Sequence, residues 1–72
     1  MKIKYDSKAD AIYILFQDRK VDISKEIEDG IVIDYTRDGR VIGIEILNAR
    51  RRMDLKDIEE ITVSIPTIKE EV

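Results

Sequence analysis

The chain contains no histidine and no cysteine, so acid–base chemistry or cation binding has to be carried by carboxylates. Four of them stand out. Asp6 and Asp10 bracket a tight turn and offer the oxygen ligands a hard cation takes, with Asp34 and Glu45 available to complete the set. Asp34 and Glu45 also form a pair that could divide acid and base roles, as two carboxylates do in glycoside hydrolysis. Each has a simpler reading. Aspartates in turns accept hydrogen bonds from nearby backbone amides, and Asp34 and Glu45 also fit a solvated face, or for Asp34 an ion pair with Lys25 on the neighbouring strand. The usual zinc, haem and iron–sulfur ligand sets cannot be assembled from this chain alone. There is no phosphate-binding glycine loop, because Gly30, Gly39 and Gly43 fall at turn or strand positions. The expectation is a protein without catalytic residues, metal or cofactor. A carboxylate-based or divalent-cation-dependent enzyme built on Asp6, Asp10, Asp34 and Glu45 is the alternative.

Two other groups could make contacts. Arg50, Arg51 and Arg52 form a basic run that Arg37 and Arg40 could extend into a phosphate-binding patch. The acidic residues Asp54, Asp57, Glu59 and Glu60 follow at once, and an acidic chain with few aromatics suits a solvated hinge or a protein contact better than a base-stacking surface. Tyr13, with Ala11 and Leu15, gives a strand an apolar second face. That face is covered either by a C-terminal helix or by a homodimer or partner interface, where tyrosine is favoured.

The elements that position these residues follow from short apolar runs separated by turn signals about every ten residues, the pattern of a β meander. Residues 31–36 and 41–47 flank Asp38-Gly39, a strong hairpin signal. With those two residues as the loop, Tyr35 faces Ile42, Ile33 faces Ile44 and Ile31 faces Ile46, all on one side, while Asp34 faces Gly43 and Glu45 faces Val32 on the other. A one-residue slip would mix the two sets. Residues 2–6 and 11–16 make a first hairpin around Ser7 to Asp10, with Ile12, Ile14 and Phe16 on the core face. Val21, Ile23 and Ile27 alternate with polar residues in a half-exposed strand ending at Asp29-Gly30. Asp54 can cap a helix from Leu55 to about Ile61, and Val63 and Ile65 alternate briefly before Pro66, as a short further strand would. The expected fold is α+β: a small, mainly antiparallel four- to five-stranded sheet with one short C-terminal helix. Residues 1–66 form the domain and 67–72 a frayed tail.

Tyr5-Asp6, Asp10-Ala11 and Tyr13-Ile14, followed by Gly30-Ile31-Val32, Asp34, Gly39, Val41 and Gly43-Ile44-Glu45-Ile46-Leu47, resemble the YuzE-like family of small uncharacterised proteins (domain of unknown function 2283). The resemblance spans most of residues 5–48. It implies a fold rather than an activity, and the antitoxin role suggested for some relatives implies a protein partner. The acidic tail lies outside it.

Composition narrows the rest. The chain has 72 residues, 40% of them charged, and a net charge of -3, which gives no general attraction to nucleic acid or an anionic membrane. Charge alternates along it, +2 over residues 1–20, -4 over 21–38, +3 over 39–52 and -4 over 53–72, a pattern suited to self-association. No apolar run approaches the roughly 20 residues that cross a bilayer, and the start lacks the apolar run of a signal peptide, so the sequence reads as cytoplasmic. The expected role is a protein-interaction module, as a homo-oligomer or with a small protein partner. Fourteen isoleucines, one Gln and one Asn, among many Lys, Glu and Arg, match the balance of heat-adapted proteins. A calorimetric melt is expected to place the midpoint above about 60 °C, beyond the range of most mesophile domains.

Overall fold

The computed structural model describes residues 1–66; the tail from 67 lies outside the described residues. Five strands, β1 (Lys2–Asp6), β2 (Ala11–Leu15), β3 (Ile23–Glu28), β4 (Ile31–Tyr35) and β5 (Val41–Ile46), precede two short helices, α1 (Ala49–Arg52) and α2 (Leu55–Glu59). The sheet is antiparallel throughout, and the class is the expected α+β. Its order is β1-β2-β5-β4-β3. Two hairpin systems, β1-β2 and β3-β4-β5, are therefore joined by pairing β5 to β2, and β2 and β3 are not neighbours as they would be in a simple meander. The connection crosses the ends of β5 and β4. Phe16 N–H and Gln17 N–H donate to the Ile42 carbonyl at 2.8 and 3.4 Å, and Asp22 N–H donates to the Tyr35 carbonyl at 3.0 Å.

The β4–β5 register follows the expectation at Ile31–Ile46, Val32–Glu45, Ile33–Ile44 and Asp34–Gly43, then shifts so that Tyr35 meets Val41. The loop is the cause. Thr36 N–H donates to the Arg40 carbonyl at 2.9 Å and Gly39 N–H to the Thr36 carbonyl at 3.0 Å, which makes Arg37, Asp38 and Gly39 a three-residue loop instead of the expected two. Gly39 takes the positive φ of 90° that such a loop asks of its last residue. Shortening the pairing on one side leaves Ile42 as a bulge residue, and its side chain is only 1% exposed. In β3 a second shift, between Glu26 and Glu28, leaves Ile27 unpaired.

Alternation from these registers puts Ile3, Tyr5, Ile12, Ile14, Ile31, Ile33, Ile44 and Ile46 on one side of the sheet. The core forms there: Ile12, Ala49 and Ile58 pack together, with Tyr5, Ile14, Ile46 and Met53 against them. Both helices thus cover the Ile12 side. The expected single helix to Ile61 ends at Glu59, because Glu60 has extended backbone, and Asp54 makes no side-chain cap bond. Residues 60–66 contain no strand, so the expected short strand near Val63 is absent. Phe16 lies past the end of β2 and is exposed, not part of the core.

Ile42 tests how far this small core depends on its bulge. Truncation to Ala at a fully buried isoleucine costs about 2–5 kcal/mol, whereas the same change at Ile27, 57% exposed, is expected to cost under about 1 kcal/mol. Urea denaturation of the two variants checks this.

Candidate functional site

The side of the sheet opposite the helices carries Lys2, Lys4 and Asp6 from β1, Ala11, Tyr13 and Leu15 from β2, Gly43 and Glu45 from β5, Val32 and Asp34 from β4, and Ser24 and Glu26 from β3. Its centre is a polar chain across four strands. The Tyr13 hydroxyl donates to the Asp34 carboxylate at 2.9 Å, and the Ser24 hydroxyl donates to the other oxygen of the same carboxylate at 2.6 Å. Tyr13 reaches Asp34 by lying across Gly43. A Cβ on Gly43 would sit 2.6 Å from the phenol oxygen and 2.8 Å from the Ile14 carbonyl, so the strand interior needs glycine at this point. Partial burial pushes the Tyr13 hydroxyl above its usual pKa, helped by its bond to Asp34 and the negative charges of Asp34 and Glu45.

Of the two simpler readings of Asp34, the ion pair with Lys25 is not found among the described residues: Ser24 holds Asp34, and the Lys25 ammonium lies 5.8 Å from the Tyr35 ring centre. Asp34 and Glu45 share a face, as the register predicts, yet only Asp34 belongs to the hydrogen-bonded chain. Beside Tyr13, a shallow cavity of about 300 Å³ is lined by Lys4, Asp6, Ala11, Tyr13, Glu45 and Leu47, among others. Its walls are of mixed charge over an apolar floor.

Asp6 and Asp10 both serve the first turn. One Asp6 oxygen accepts from the backbone N–H groups of Lys8 and Ala9 at 3.0 and 3.2 Å. Asp10, at a positive φ of 53°, does more. Its carboxylate accepts from the Tyr5 hydroxyl at 2.8 Å and from the Arg50 backbone N–H at 3.2 Å, the Arg50 side chain joins at 3.2 Å, and its carbonyl accepts from Ala49 N–H at 3.0 Å. The turn therefore caps α1 from outside the helix. Partial burial raises the Asp10 pKa, but the bonds from Tyr5 and Arg50 outweigh it and hold the carboxyl below its usual range. Among the described residues no three acidic side chains gather in a way that could hold a metal ion.

The arginines separate. Arg37 and Arg40 sit at the β4–β5 loop, while Arg50, Arg51 and Arg52 form α1 beyond the other end of β5. Six strand residues at about 3.4 Å each put about 20 Å between the groups, so Arg37 and Arg40 do not extend the Arg50–Arg52 run into one phosphate patch, the reading the sequence already disfavours. Arg52 acts within the fold, donating to the Leu47 carbonyl at 3.2 Å and to the Asp29 carbonyl. Ser24, Gly43, Tyr5 and Arg52 were missed as site or anchoring residues. For Gly43 the signal was present, a glycine inside a strand directly opposite Asp34.

Two outcomes follow from the Tyr13 chain. Gly43→Ala is expected to cost about 1–3 kcal/mol through overpacking against an immovable backbone oxygen, measured by denaturant titration. Because the fold favours the neutral Tyr13 phenol, its contribution is intact below the ordinary tyrosine pKa of about 10 and is lost as pH rises through the higher folded value. Tyr13→Phe should therefore lose less stability than the wild type between neutral and strongly alkaline pH.

Residues 2–50, from β1 to the start of α1, match the model of a family described as protein of unknown function (DUF2283). No curated protein and no solved structure matches the chain. No helix among the described residues is long and apolar enough to cross a membrane. The matched segment holds all five strands, the Tyr13–Asp34–Ser24 chain, Gly43 and the Asp10 turn, and with about two thirds of its length covered the chain belongs to the DUF2283 family of proteins of unknown function.

Proposed function

We propose that the protein is a small interaction module that binds through the sheet face centred on Ala11, Tyr13 and Leu15. The observation that supports this is the position of the helices. Ala49, Met53 and Ile58 pack on the Ile12 side, so neither described helix covers Tyr13, which favours the interface reading of that face. What remains is a partly apolar face whose tyrosine is held in place by Asp34, so little side-chain freedom is lost when a partner docks on it. An antitoxin-like role is one form of this reading, suggested by the family resemblance alone. The carboxylate enzyme finds less support: Asp6 and Asp10 are engaged in turn and cap bonds, and Asp34 is tied to two hydroxyls.

Native mass spectrometry of tagged protein purified gently from its own host tests the proposal. A homodimer or a stoichiometric second protein is the expected result, lost in Leu15→Lys while the circular dichroism spectrum is retained. A monomer with no companion in the wild type would overturn it.

A further inference from the structure

The order β1-β2-β5 places two opposite charges symmetrically about β2 on the open face. Lys4 on β1 and Glu45 on β5 are both registered against Tyr13 on β2, so each stands about 4.8 Å from the β2 axis, one on either side. Neither takes part in the ion pairs found among the described residues, Arg40–Asp38 and Arg50–Asp10. A rotation of 180° about an axis lying along β2 in the plane of the face exchanges the two sides and keeps each residue in its row.

We infer that the open face docks on a second copy of the chain about such a two-fold axis, with Lys4 of each copy over Glu45 of the other and Ala11, Tyr13 and Leu15 meeting at the centre. This rests on the interaction-module reading and names its partner. An isologous contact must be self-complementary, and this row meets the requirement: it reads Lys4, Tyr13, Glu45 across three strands, positive, aromatic, negative. The neighbouring rows agree. Lys2, registered against Leu15, falls over the Tyr13 ring where it crosses Gly43 of the second copy, beside its Asp34, and Asp6, registered against Ala11, falls over the uncharged Leu47 if the β2–β5 register is continued by one residue. The cavity between Lys4 and Glu45 lies inside the contact and is filled by the facing side chains. Strand directions stay nearly aligned, as in packed pairs of sheets.

An axis on β2 brings three strands of each copy into contact, β1 over β5, β2 over β2 and β5 over β1; three strands at about 4.8 Å and five residues at about 3.3 Å make a footprint of roughly 14 by 17 Å, or about 240 Å². That is about a third of the usual area per partner in a stable complex, so the dimer is expected to be weak and to dissociate on dilution through the upper micromolar range.

Sedimentation equilibrium on the full chain, from about 1 to 300 μM, tests the arrangement with Lys4→Glu and Glu45→Lys, both on partly or fully exposed positions. Each variant alone puts like charges face to face and is expected to lose at least about tenfold in self-association. Mixed in equal amounts, the two restore it, since every facing pair in the mixed dimer is again opposite in charge. Self-association unchanged in the single variants, no recovery on mixing, or a wild type that stays monomeric would each overturn the two-fold arrangement. A monomeric wild type that still brings down a stoichiometric second protein would overturn it while leaving the interaction-module reading intact.

Discussion

Everything on the open side of the sheet depends on one contact: the Tyr13 ring crossing Gly43 to reach Asp34. A hydrogen bond from a phenol to a carboxylate is among the stronger ones in water, about 1.5–3 kcal/mol. Here it joins β2 to β4 over the backbone of β5, and Ser24 extends it to β3. Within the sheet the two hairpin systems meet at the β2–β5 seam, and a bond that spans the seam adds a side-chain tie to the backbone pairing there. The requirement for glycine at 43 follows from this contact, and so does the fixed posture of the tyrosine at the centre of the face.

The other side has its own anchor, and it too works across the chain. Helices of four and five residues are far too short to hold themselves together. Asp10 supplies α1 with acceptors for the Ala49 and Arg50 amides, while Arg52 ties its last turn to the β3–β4 turn and to the end of β5. Ile58 then closes over Ile12. The basic run that looks like a ligand site in the sequence is in large part a fastening, and the two turn aspartates are hydrogen-bond acceptors for backbone amides. A protein with so small a core leaves apolar surface uncovered, and on the proposed reading the open, pre-organised face is where another molecule covers it.

Much of this was legible in the residues. The strict alternation of isoleucines fixed the β4–β5 register as far as Asp34–Gly43, because a slip by one would have exposed every one of them, and the same alternation placed Ile12 and Ile14 on the core side and Tyr13 on the other. Asp6 and Asp10 were readable as turn residues from their spacing. The loop length was not, since Asp-Gly serves both two- and three-residue hairpins, and the choice made here created the bulge that buries Ile42. The Lys25–Asp34 pair failed because Ser24, not Lys25, is the residue registered against Asp34.

The sequence by itself determined the class of the fold, the identity of the strands and which residues share a face, because these depend on local periodicity and turn chemistry. Only the tertiary structure decided the strand order, the side the helices take and the separation of the arginines. Those depend on β5 pairing with β2 instead of β3 following β2, a contact between segments about thirty residues apart that no local pattern encodes. That pairing brought Tyr13 beside Gly43, set Lys4 and Glu45 on either side of it, and left the face they share open.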